Sequence, residues 1–141
     1  MPYIQNTIPE GLTAQRLKVA RGTYDFAADG GAVGTIPLMG AIDVPAGATI
    51  LGGWLEVVTP PASGGAATVA VQVNAANDIV ADTAITLAPW STAGSKSVVP
   101  VFTGETVVRT TAARDISAVI ATAALTAGKF DIVLVYIDPL A

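Results

Sequence analysis

The chain has 141 residues, of which 52% are apolar and only 13% charged, with a formal net charge of −4. That length supports one domain burying roughly 68–70% of the surface its unfolded form would expose. With no cysteine and no histidine, disulfide frameworks, thiolate nucleophiles, His-dependent triads and Cys- or His-ligated zinc are excluded.

Residues Met1–Thr13 carry Pro2, Asn6, Pro9 and Gly11 among isolated apolar residues Tyr3, Ile4, Ile8 and Leu12. Two prolines so close together disfavour both a helix and a central strand. The segment reads as an extended arm, residues 1–15, ahead of a sandwich domain over 16–141; a frayed terminus is the plain alternative. In LKVARGTYDF, Leu17 and Val19 share one parity while Tyr24 and Phe26 share the other. A bulge or bend at Gly22 is expected to return all four to one side. Asp29–Gly31 is a turn. AVGTIPLM follows as a short strand that Pro37 assigns to an edge or a strand end. Asp43–Ala48 is another turn, and Thr49–Thr59 reads as a long strand with Gly52 and Gly53 in its middle. TPPASGG forms a loop, after which Val69, Val71 and Val73 alternate with polar or small residues over Thr68–Asn74, a half-buried strand pattern.

The second half repeats this style. Ile79–Leu87 is a strand after the NAAND turn, and Ala88–Lys96 is a loop. Ser97–Phe102 and Thr106–Thr111 are expected to pair as a hairpin around Thr103-Gly104-Glu105. Ile116–Ala123 and Lys129–Ile137 are expected to form another around LTAG, with Phe130, Ile132, Leu134 and Tyr136 on one face. Ala112–Leu125 is rich in alanine, but Ile116, Val119, Ile120, Thr122 and Thr126 favour strand over helix. About nine short strands spaced by roughly 8–12 residues predict an all-β fold, an antiparallel β-sandwich or jelly-roll-like single domain.

No motif for chemistry emerges. Glu56 and Glu105 stand singly among Val and Thr, so nothing in the sequence places two carboxylates across a cleft. AGSKS at Ala93–Ser97 lacks the spacing of a phosphate loop, and Gly30, Gly31 and Gly34 miss the dinucleotide pattern. Asn74, Asn77, Asp78 and Asp82 carry oxygens suited to calcium, but the spacing departs from an EF-hand loop, and side chains capping turns account for them. No catalytic residue, cofactor or metal is therefore predicted. The basic residues are scattered, with only Arg16, Lys18 and Arg21 close together, which argues against a nucleic-acid partner. The longest uncharged run, Val57–Asn77, contains Pro60 and Pro61, so no membrane-spanning helix is expected, and MPYIQNTIPEGL lacks a signal-peptide pattern. Trp54 shares parity with Ile50, Glu56 and Val58, a mixed face. Trp90 follows Pro89 in a loop, where its ring either plugs the core or meets a partner.

An ordinary soluble domain carries about 25% charged residues, so part of this exterior is expected to be interface, most simply within a homo-oligomer. The run DVPAGATILGGWLEVVTPPASGGAATVAVQV, with NDIVADTAI and the terminal KFDIVLVYI, resembles small structural proteins of tailed-bacteriophage virions, among them capsid decoration (cement) proteins. The resemblance covers roughly Ala20–Asp138. It implies β-sandwich subunits, often trimeric, that sit on the outer capsid lattice and brace the major capsid protein, sometimes through an extended arm. It brings no catalytic residues. Candidate partner contacts are Tyr3, Ile4, Ile8, Trp54 and Trp90. Two other readings remain: a tail, neck or fibre component, and a glycan-binding sandwich using Trp54, Trp90 and Tyr3.

Overall fold

Alternation of apolar and polar residues makes strands with one buried face, and such strands are stable only when two sheets cover each other. The computed structural model describes residues 17–38, 44–98 and 107–137. Among them are β1 (Leu17–Asp25), the one-turn α1 (Phe26–Asp29), β2 (Gly34–Pro37), β3 (Thr49–Ser63), β4 (Thr68–Gln72), β5 (Val80–Ala84), β6 (Gly94–Val98), β7 (Ser117–Ala121) and β8 (Leu125–Ile137). They form two antiparallel four-stranded sheets: a front sheet in the order β1-β8-β3-β6 and a back sheet in the order β2-β7-β4-β5. Every connection between successive strands crosses from one sheet to the other, except the β4–β5 hairpin. The all-β sandwich expected from strand spacing is the observed architecture, and β2, with Pro37, lies at a sheet edge as expected.

Between the sheets, Ile50, Leu55, Val57, Phe130, Ile132 and Leu134 of the front meet Val69, Val71 and Ile120 of the back, all fully or almost fully buried. The arm, with Tyr3, Ile4 and Ile8, lies outside the described residues, as does the Thr103-Gly104-Glu105 turn.

Four local expectations are corrected. First, β1 pairs with β8 from Leu17↔Ile137 to Asp25↔Lys129 with no register shift. Gly22 is no bulge: Ala20 and Tyr24 point inward while Leu17 and Val19 point outward. The glycine is there for proximity, since a Cβ on Gly22 would lie 2.8 Å from Leu38 Cβ. Second, the parity switch occurs instead in β3, where the register slips between Ile50 and Gly52. A bulge of this kind reverses which side chains face the core; Ile50 is buried and Trp54 points out. Third, β3 continues through Pro60 and Pro61 to Ser63. Its partner β6 reaches only Gly53–Val57, so on that side the prolines have no ladder bond to lose.

Fourth, the expected hairpin of Ile116–Ala123 with Lys129–Ile137 does not form, while the one expected around Thr103-Gly104-Glu105 lies largely outside the described residues. β6 pairs with β3, while the later segment runs beside the start of β3 through Thr49↔Arg109 and Val44↔Arg114. β7 and β8 belong to opposite sheets. The link between them turns at Thr122 (φ 72°), and Leu125 N–H then donates to Gly31 O at 2.8 Å. Crossing allows the apolar faces of β7 and β8 to bury one another, which a flat hairpin does not.

Polar groups secure the connections. Asp25 caps α1 by accepting from Ala27 N–H at 3.0 Å, and Gly30 ends it at φ 74°. Asp78, almost wholly buried, accepts the backbone N–H groups of Val73, Asn74 and Ala75 at 2.8–2.9 Å. Its carboxylate thus closes the turn after β4, the capping role weighed against calcium above. Among the described residues no group of three His, Cys, Asp or Glu side chains gathers to hold a metal, and no helix is long and apolar enough to cross a membrane.

Candidate functional site

The two tryptophans have opposite environments. Trp90 has no exposed surface, its ring centroid lies 4.9 Å from that of Phe130, and its Nε1–H donates to Val69 O at 3.1 Å. It plugs the core and offers no surface to a partner, so its place among the candidate contacts is withdrawn. Trp54 remains 46% exposed on the outer face of the front sheet.

The strand register builds that outer face row by row. Leu17 lies beside Ile137, and Val19 beside Val135, which in turn neighbours Gly52. Arg21 lies beside Val133, which neighbours Trp54. Leu51, extruded at the bulge, adds to these rows. Leu17, Val19, Leu51 and Trp54 range from 46% to 64% exposed. Val133, between Arg21 and Trp54, is already buried. The result is a continuous apolar half-face.

The next rows are polar. Thr23 Oγ1 donates to Asp131 at 2.5 Å, and Arg21 approaches the same carboxylate at 3.6 Å. Glu56 neighbours Asp131 in register and accepts from Ser95 Oγ. Lys129 lies 3.5 Å from Asp25. The lone Glu56 therefore belongs to a polar band that borders the apolar patch. By contrast, the outward-pointing positions of the back sheet are Thr35, Pro37, Ser117, Val119, Ala121, Thr68, Ala70 and Gln72, small or polar apart from Val119, and among them Ala70 and the Thr68 hydroxyl are buried. The molecule has one apolar face and one bland face.

A cleft of about 650 Å³ opens between the edge strands β5 and β6, lined by Leu55, Ile79, Val80, Pro89, Lys96 and Val98 among others. Its one amine, Lys96 Nζ, already donates to the carbonyls of Thr92 and Gly94. Among the described residues no carboxylate lines it. Among the described residues, Tyr24 has a displaced titration. Burial, reinforced by the negative charges of Asp29 and Asp25, pushes its phenol up to about 12, and its hydroxyl donates to Gly30 O at 2.8 Å. It is a structural tyrosine.

Reading the sequence found Trp54 but missed Leu17, Val19 and Leu51. One signal for the face was present: KFDIVLVYI is apolar at both parities after Asp131, so Val133, Val135 and Ile137 line the face opposite Phe130, Ile132, Leu134 and Tyr136.

No protein-family model matches the sequence, and no curated protein matches it. Solved structures do match in fold. A chain in the acidic stable capsid structure of Helicobacter pylori bacteriophage KHP30 is similar at a TM-score of 0.58 and 17% identity, covering 87% of this chain and 88% of that one. A chain in the capsid asymmetric unit of cyanophage Pam1 is similar at a TM-score of 0.59 and 19% identity, covering 89% and 86% respectively. The likeness runs over nearly the whole of each chain and establishes a shared sandwich fold.

Proposed function

We propose that this protein is a non-enzymatic structural component of a tailed-phage virion, specifically a capsid decoration protein. It is synthesised in the host cytoplasm, assembles as a homotrimer and binds the outer surface of the major capsid lattice, which it stabilises by burying surface across neighbouring subunits. The observation that carries this reading is the near full-length likeness to chains in two phage capsid structures. The strand order supports it: among the described residues, eight strands lie in two four-stranded sheets with connections crossing between them, which suits a jelly-roll reading, an architecture recurrent in viral capsids. Low charge and the one-sided apolar face give such a subunit a surface to bury.

The test is add-back. Capsids assembled without this protein are mixed with the purified chain, and sedimentation, particle melting temperature and the chain's mass by light scattering are measured. Stoichiometric binding with a raised melting temperature and a trimeric mass is expected. A monomer that leaves capsids unchanged refutes the reading, and density confined to the tail or neck in images of the intact particle replaces it with a tail component.

A further inference from the structure

The apolar half-face of the front sheet needs a cover, and the chain itself contains a suitable one. Leu17, Val19, Leu51 and Trp54 are exposed together on one side of the sheet, and contiguous exposed patches of this kind mark interaction sites. Residues 1–16 join the described fold at Leu17, which is itself a corner of the patch. Fully extended they span at most ~55 Å, while the three strands carrying the patch, at about 4.8 Å spacing, are only ~10–15 Å wide. Their chemistry matches: Tyr3, Ile4, Ile8 and Leu12 supply apolar side chains, and Glu10 and Arg16 are the segment's only charged side chains. The patch has a matching layout, apolar rows with the Arg21–Asp131 pair at their margin.

Strand direction decides which molecule provides the cover. β1 runs from Leu17 towards Asp25, and the patch occupies the Leu17 half of that strand. To cover its own patch, a segment joined at Leu17 would have to double back over β1. The corresponding segment of a second copy reaches it without reversal. We propose that residues 1–16 of one copy lie over the apolar outer face of the front sheet of another, so that exchange of this segment holds the copies together. This goes beyond the capsid reading and stands or falls without capsids.

The placement of the tryptophans makes it measurable. Trp90 is wholly buried and Trp54 is not, so acrylamide quenching of tryptophan emission in the full chain reports cover of the patch. At high concentration the full chain is expected to be oligomeric by light scattering and poorly quenched, with quenching rising severalfold as dilution separates the copies. A variant lacking residues 1–16 is expected to be monomeric and highly quenched at every concentration, with unchanged circular dichroism. Addition of a synthetic peptide of residues 1–16 restores protection of Trp54. If that variant fails to fold, the full-length double substitution Ile4→Asp and Ile8→Asp serves in its place, with the same expected loss of protection. Quenching of the full chain that equals the variant's at all concentrations overturns the proposal. Protection that persists in a monomer also overturns it, because the segment would then cover its own sheet.

Discussion

Replacing Trp90 with alanine tests whether this ring is core, and the paired substitution Trp54→Ala supplies the contrast. Trp90 is completely enclosed, packs on Phe130 and satisfies the Val69 carbonyl with its indole N–H. Removing a buried tryptophan costs about 3–5 kcal/mol through lost burial and the cavity left behind. The orphaned carbonyl adds a penalty of about 1 kcal/mol or more, so the expected loss is in the upper part of that range, about 4–5 kcal/mol. For a domain of this length, each kcal/mol lowers Tm by roughly 3–4 °C, which puts the shift at about 12–20 °C. Trp90→Phe retains most of the ring and loses the hydrogen bond, for about 1–3 kcal/mol. Trp54→Ala, on the outer face, is expected within about 0.5 kcal/mol of the parent when all are compared at one low protein concentration. Urea unfolding followed by far-ultraviolet circular dichroism is the assay, because each of these variants removes one of the two tryptophan reporters. Equal destabilisation by the two alanine substitutions, or a Trp90→Ala cost below about 1 kcal/mol, would refute the assignment of Trp90 to the core.

Three further outcomes are expected. Gly53→Ala places a Cβ 1.9 Å from Val133 O, in the backbone of β8. Strands β3 and β8 must then separate, costing about 3 kcal/mol or more in thermal unfolding, whereas Gly64→Ala, which meets nothing within 4 Å, is tolerated. Tyr24 holds its proton up to a pH of about 12 in the fold but only to about 10 when unfolded. Above pH 10 the unfolded state therefore binds fewer protons, and stability declines towards pH 12 by up to ~1.4 kcal/mol per unit. Urea titrations across that window should show the decline in the parent and its reduction in Tyr24→Phe. Asp78→Ala strips three backbone N–H groups of their acceptor; a loss of about 2–3 kcal/mol is expected, with faster amide hydrogen exchange at Val73, Asn74 and Ala75.

The alternating strand at Val69–Val73 was legible because its two faces differ in the residues themselves. The inward set Phe130, Ile132, Leu134 and Tyr136 was legible for the same reason, and all four are buried. The single proline of β2 correctly marked an edge. Glycines were harder to interpret, because one residue type serves two purposes. Gly22 permits Leu38 to approach closely, while the Gly52-Gly53 pair accommodates a bulge and the backbone of β8. Only the neighbours distinguish these uses. Choosing the wrong glycine placed Leu17 and Val19 with the core residues and left Trp54 on a mixed face.

By itself, then, the sequence determined the class of this protein: strand-forming segments punctuated by turns, residue types that lack the usual nucleophile–base chemistry, and a charge content too low for an ordinary free surface. Those are properties of composition and local period, set by each residue and its near neighbours. The tertiary structure decided which strands share a sheet, that β7 and β8 oppose one another rather than pair, and that Trp90 is enclosed while Trp54 borders an apolar face. These outcomes depend on register. A slip of one residue exchanges inside for outside along a whole strand, and its position in β3 is set by the approach of β8 to Gly53, some eighty residues away in the chain.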